Sequence, residues 1–168
     1  MLSMTPLLNQ MLSIESQSPT ETETLARRLA ANCPSNVVVY LSGELGTGKS
    51  TFARALLQGL GVTGSIKSPT YTLLETYALD NGLEAIHMDM YRIFDPDEIN
   101  FLGLDSFASN LQVMLIEWPE KGVDSLPDAD LIIQLDHHGQ NRRIGLSART
   151  DVGLAWLNSA KIAILNAS

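Results

Sequence analysis

The chain has 168 residues, 45% of them hydrophobic and 18% charged, which suits one domain with its own core. A single cysteine, Cys33, excludes an internal disulfide framework and points to a reducing compartment, and no apolar run approaches the roughly 20 residues that span a bilayer. The net charge of −8, with Arg27-Arg28 and Arg142-Arg143 as the only basic doublets, argues against a surface that grips nucleic acid directly.

Residues 1–17 read as a flexible lead-in, and the domain is expected over residues 18–168. No Lys or Arg precedes Arg27, so the charged start of a secretory signal is missing and a soluble, cytoplasmic protein is expected. Ser18-Pro19-Thr20-Glu21 is a capping-box pattern with proline at the first helical position. Leu25, Ala26, Leu29 and Ala30 continue it at helical spacing to about Cys33, where Asn32 and Pro34 stop it. The β-branched run Val37-Val38-Val39 then leads through Tyr40-Leu41 into Gly43-Glu44-Leu45-Gly46-Thr47-Gly48-Lys49-Ser50, which fits G-x-x-x-x-G-K-[ST]. Thr51 to Gln58 has helical composition and ends near Gly59-Leu60-Gly61.

A polar loop over residues 62–70 precedes a strand predicted at Tyr71 to Tyr77. Asp80-Asn81-Gly82 is a turn signal whose hairpin partner is Leu83 to Met90. Asp95-Pro96-Asp97-Glu98 opens a helical segment carrying Ile99 and Leu102, which Gly103 stops. Strands follow at Leu111 to Trp118, Leu131 to Leu135 and Arg143 to Ala148, the last two joined by a turn at His137 to Asn141, and a closing helix is predicted at about 151–165. Strands alternating with helices around this loop predict an α/β fold: a single P-loop NTPase-like domain with a mixed β-sheet flanked by helices.

A strand, a glycine-rich loop and a helix in that order are the context a phosphate-binding loop needs. Backbone N–H groups cradle a polyphosphate and the helix presents its positive end to the same charge. In this reading Gly46, Thr47 and Gly48 form the cradle, Lys49 reaches the terminal phosphates, and the Ser50 hydroxyl ligates Mg²⁺. Mg²⁺ also wants a carboxylate, commonly from a strand end. Asp89, Glu117 and Asp136 each close a predicted strand, and Glu117 follows the most apolar run, Val113 to Ile116. Asp136 reads as a hairpin residue. Asp89 has two readings, an acid paired with Arg92 or a group that orients water or contacts the metal. His87 reads as structural, and the adjacent His137 and His138 as poor metal ligands. Trp118 reads equally as packing or as an aromatic covering the nucleotide.

The ordered set Gly43 to Thr51, Ser68-Pro69-Thr70-Tyr71-Thr72-Leu73, His87-Met88-Asp89-Met90-Tyr91-Arg92, Glu117-Trp118-Pro119-Glu120 and Leu126-Pro127 resembles the TsaE (YjeE) family over roughly residues 18–148. The resemblance implies an ATP- and Mg²⁺-binding protein that hydrolyses ATP to ADP slowly alone. It implies work with a TsaD–TsaB-like complex in threonylcarbamoyladenosine modification of tRNA, touching the tRNA only indirectly and no membrane. It also implies Lys49, Asp89 and Glu117 as catalytic groups, Ser50 and Glu117 as metal ligands, and Thr51 as a phosphate contact. Thr70 resembles a switch threonine, and Thr22, Trp118 and Arg142 match residues near the nucleotide. Ser50 stands where many members carry threonine, which supplies the same hydroxyl. Two alternatives stay open at this point, a small-molecule P-loop kinase and a nucleotide-dependent binding switch without turnover. The first commonly adds an arginine-rich lid, and guanine-binding switches commonly carry Asn-Lys-x-Asp; the chain has neither.

Overall fold

The computed structural model describes residues 11–165. Seven strands form one sheet: β1 (Met11–Ser16), β2 (Val37–Ser42), β3 (Leu74–Ala78), β4 (Glu84–Asp89), β5 (Leu111–Glu117), β6 (Leu131–His138) and β7 (Asn141–Ala148). Their spatial order is β1-β7-β6-β2-β5-β4-β3. Strands β4, β5, β2 and β6 are parallel, and antiparallel partners close both edges, so the sheet is mixed as expected. Every residue of β5 is buried, as are all but the last of β2. Strands covered on both faces read as continuous apolar runs rather than as alternations.

Three helices, α1 (Pro19–Ala30), α2 (Lys49–Gly59) and α3 (Asp151–Leu165), pack on one face over a core that includes Leu29, Val39, Phe52, Leu56, Leu115 and Trp156. The Trp156 indole N–H donates to the Leu29 carbonyl at 2.9 Å and ties α3 to α1. The other face buries Tyr40, Ile86, Met88, Ile99 and Ile116 under short 3-10 segments between β4 and β6. Because the four parallel strands all end at one edge, Ser42, Asp89 and Glu117 arrive side by side there, and α2 starts at the same place. Open α/β sheets bind ligands at that edge.

The structure departs from the sequence reading at several places. Residues 11–16 are not a lead-in but edge strand β1, antiparallel to β7 from Met11↔Ser147 to Ser16↔Arg142. Leu12 and Ile14 are half-buried and Ser16 is buried, while Met11, Ser13 and Glu15 face out. This period of two was present in Leu12-Ser13-Ile14-Glu15 but is short. Residues 1–10 of the expected lead-in lie outside the described residues. Strand β3 begins later than Tyr71, because Leu73 takes a left-handed φ of 66° that interrupts extended backbone. Helix α1 ends at Ala30, before Cys33, and the segment Pro96–Leu102 is a 3-10 helix that Gly103 ends at φ 66°. The β6–β7 turn is tighter than predicted, since His137, His138 and Asn141 all sit in strands. Helix α3 matches the predicted 151–165. Among the described residues, no helix is long and apolar enough to cross a membrane.

Helix α3 approaches the loop before β6 so closely that a Cβ at Gly153 would lie 1.9 Å from the Asp130 carbonyl oxygen. Helix propensity alone favours Gly153→Ala by about 1 kcal/mol, whereas overpacking against backbone costs about 1–3 kcal/mol. The substitution is expected to destabilise the fold in a denaturant titration; a more stable variant would show that α3 is held more loosely than this contact requires.

Candidate functional site

The loop between β2 and α2 turns on glycines with left-handed backbone: φ is 144° at Gly43, 77° at Gly46 and 102° at Gly48. A Cβ at Gly43 would sit 2.3 Å from the Leu135 carbonyl oxygen, so no larger residue fits against β6 there. The Thr47 hydroxyl donates to the Glu44 carbonyl at 2.9 Å and closes the turn from inside. Helix α2 then starts at Lys49 with no side-chain cap, leaving its first N–H groups facing the loop. Uncapped helix N–H groups beside a glycine loop form an anion cradle.

Two cavities share Gly46, Gly48 and Thr51. One is bounded by Lys49, Ser50, Thr70, Asp89, Glu117 and Trp118. Within it the Ser50 hydroxyl donates to Glu117 Oε1 at 3.1 Å, and His87 Nε2 lies 2.6 Å from Glu117 Oε2. Asp89 is beside them at the end of β4, paired in register with Glu117. Its carboxylate accepts from the Tyr91 N–H at 2.9 Å and from the Thr70 hydroxyl at 3.4 Å. Burial raises the Asp89 pKa; the Tyr91 N–H pulls it down, Glu117 pushes it up further, and His87 and Thr70 oppose the rise. Arg92 is not its partner: that guanidinium stacks over the Tyr71 ring, 4.3 Å from the centroid.

Lys49 is buried, and its ammonium donates to the carbonyls of Gly43 and Glu44 at 2.7 and 2.8 Å. It also lies 4.2 Å from the centroid of the Trp118 ring, a cation–π contact. Burial lowers its pKa, opposed by the negative charges of Glu117, Glu120 and Asp89. Trp118 holds this position from a left-handed backbone (φ 55°, ψ 49°), and its ring lies 5.0 Å from that of Tyr91. A non-glycine residue in that conformation costs on the order of 1–3 kcal/mol and tends to occur where function requires it.

The second cavity is lined by Ser16, Thr22, Thr47, Thr51, Gln140 and Arg142, among others. Thr22 is buried on α1, its hydroxyl 2.7 Å from that of Ser16. The Arg142 guanidinium reaches the Gly46 carbonyl at 3.2 Å and thereby leans the β6–β7 hairpin against the loop.

The residues that the resemblance implied as phosphate, metal or nucleotide contacts all line these two cavities, including Thr22, Thr70 and Arg142, which lie far apart along the chain. Asp136 is an exposed hairpin residue opposite Arg143. His137 Nε2 lies 3.3 Å from the Leu45 carbonyl, and His138 Nε2 lies 3.3 Å from the Arg143 guanidinium. Sequence reasoning missed Ser16, Gln140 and Tyr91, which line the cavities, and did not anticipate the contact of His87 with Glu117. The apolar strand Ala85 to Met88 gave one signal for His87: a lone histidine two residues before an acid on the same face.

Mg²⁺ fits this donor set. Ser50 and Glu117 already place a hydroxyl and a carboxylate in contact, and Asp89 adds a second acid in the same cavity. Among the described residues no three His, Cys, Asp or Glu side chains are arranged to hold a metal ion by themselves. Sites completed by one or two carboxylates, substrate phosphates and water need no such cage.

Residues 16–144 match the family model described as threonylcarbamoyl adenosine biosynthesis protein TsaE. A Haemophilus influenzae protein named tRNA threonylcarbamoyladenosine biosynthesis protein TsaE is 44% identical over 117 residues, covering 70% of this chain and 73% of that one. A Bacillus subtilis protein of the same name is 37% identical over 126 residues, covering 75% and 78%. The crystal structure of Bacillus subtilis YdiB superposes with a TM-score of 0.77 at 28% identity, covering 91% of this chain and 95% of that one.

The raised pKa of Asp89 has a consequence for stability. A carboxyl whose folded pKa lies above its unfolded value favours the native state in its protonated form, and that contribution fades as pH rises through the folded pKa. Asp89→Asn is therefore expected to raise the melting temperature of the metal- and nucleotide-free protein at about pH 7, with the gain shrinking toward about pH 4. Melts of both proteins at the two pH values check this; no gain at neutral pH would contradict it.

Proposed function

The chain belongs to the TsaE family, and from that premise we propose that it is a Mg²⁺-dependent ATPase in threonylcarbamoyladenosine modification of tRNA adenosine 37. The observation that carries the reading is the contact between Ser50 at the start of α2 and the buried Glu117 at the end of β5, directly beside the glycine loop. ATP, and ADP after hydrolysis, lies with its phosphates on the N–H groups of Gly46 to Thr51 and its nucleoside toward Thr22 and Arg142. Lys49 neutralises the terminal phosphates, and Ser50 and Glu117 hold Mg²⁺. Bound there, the ion would supply charge stabilisation to the phosphates. Asp89, whose carboxylate is anchored by the Tyr91 N–H, orients the attacking water, and Thr70 beside it senses the terminal phosphate.

Turnover by the isolated chain is slow, because among the described residues Lys49 is the only basic side chain lining the cavity on the Ser50–Glu117 side. Arg142 borders the other cavity and is engaged with Gly46. An arginine delivered to the transition state is worth about 10³–10⁵ in rate. The missing group is supplied, or the site closed, by a TsaD–TsaB-like protein complex. Exposed Tyr71, Phe94 and Phe101 offer apolar surface to such a partner, and the net charge of −8 favours protein contact over direct contact with tRNA. This assembly is cytoplasmic.

The test is ATP hydrolysis by the purified chain, alone and with the TsaD–TsaB pair and tRNA. Slow turnover that rises on adding the complex is expected, and equal rates would count against the partner-dependent reading. Lys49→Ala and Glu117→Ala are each expected to lower the rate by about 10²–10³ with unchanged circular dichroism. A folded variant that keeps near-full hydrolysis would sink the assignment of that residue.

A further inference from the structure

The buried pair of His87 and Glu117 carries an inference that rests on the reading of Glu117 as a metal ligand. Glu117 is 1% exposed and His87 3%. A carboxylate in that setting is stable only if donors meet it. Two do so, one on each oxygen: the Ser50 hydroxyl on Oε1 at 3.1 Å and His87 Nε2 on Oε2 at 2.6 Å.

The sheet explains the arrangement. Strands β4 and β5 are parallel neighbours in which Asp89 pairs with Glu117 and His87 with Leu115. Side chains at alternate positions share a face, so His87, Asp89, Leu115 and Glu117 all point to the side where α2 packs. Leu115 belongs to the core on that side. His87 therefore stands one pleat behind Glu117, on the side away from the loop, and reaches forward to it.

The second ring nitrogen identifies the donor. His87 Nδ1 is buried and has no hydrogen-bond partner among the described residues. A proton there would be stranded, at a penalty typical of a buried unsatisfied donor. The ring proton therefore sits on Nε2 and points at Glu117. Imidazole and hydroxyl together leave the carboxylate one orientation, with Oε1 toward Ser50 and the cavity. Removing the imidazole frees Oε2, and the carboxylate can then rotate about its terminal bond.

We propose that His87 is a positioning residue that fixes the rotamer of Glu117 for the metal. It acts on metal affinity through Glu117 and touches neither phosphate nor metal. Partners of this kind behind a metal ligand typically contribute about 10–100-fold in metal affinity.

The experiment is calorimetric titration of ATP into the full chain over a Mg²⁺ series and in EDTA, with His87→Gln and His87→Asn compared with the unsubstituted protein. The glutamine amide reaches about as far as Nε2, whereas the asparagine amide is one carbon shorter; both are polar and tolerable at the site. Expected is a Mg²⁺ requirement for His87→Asn raised about 10–100-fold, near-normal behaviour for His87→Gln, and unchanged affinity in EDTA for both. Equal Mg²⁺ requirements for the two variants, or an equal loss with and without Mg²⁺, would overturn the proposal. Glu117→Gln is measured alongside. If its Mg²⁺ requirement is unchanged, the reading of Glu117 as a ligand fails, and the role of His87 fails with it for that reason rather than its own.

Discussion

Glu117 is a carboxylate with almost no access to water, and the site is organised around keeping it there. Two separate parts of the sequence meet its demand for donors: Ser50 from the first turn of α2, and His87 from β4, which the parallel pairing of β4 with β5 brings within reach. A buried charge left half-satisfied would be expensive, so each partner constrains the others. Helix α2 cannot slide along β5 without losing the Ser50 contact, and β4 cannot slip by one residue without turning His87 and Asp89 to the opposite face.

The same edge holds local free energy in unfavourable forms. Asp89 is buried enough to raise its pKa beside a second acid, and Trp118 sits in left-handed backbone. Neither helps the fold. Both lower stability at the edge, offset by the two apolar cores on either side of the sheet. In the proposed function, a cation at this edge would relieve the repulsion between Asp89 and Glu117.

Legibility in the sequence followed the range of the interaction. The glycine loop and α2 could be read directly because the eight residues Gly43 to Ser50 are contiguous and their chemistry is local. Glu117 was readable because a continuous apolar run ending in an acid marks a central parallel strand. Thr22 and Arg142 have no local signature. They came from the family resemblance alone, since their place beside the loop depends on α1 packing and on the β6–β7 hairpin leaning back to Gly46. Strand β1 was missed because two inward residues, Leu12 and Ile14, make a weak alternation, and it gains its structure from pairing with β7, well over a hundred residues away. Ser16 was missed with it. The partner of His87 was not legible, because Glu117 lies on a neighbouring strand and only the register shows that they meet.

The central claim is that Ser50 and Glu117 form the metal end of a nucleotide site whose phosphate end is the glycine loop. A crystal structure with Mg²⁺ and a non-hydrolysable ATP analogue tests this most directly. The account predicts the terminal phosphates against the N–H groups of Gly46 to Ser50, with the ion about 2.1 Å from the Ser50 hydroxyl and on the Glu117 side of the phosphates. An ion held elsewhere, or phosphates bound away from the loop, would contradict it.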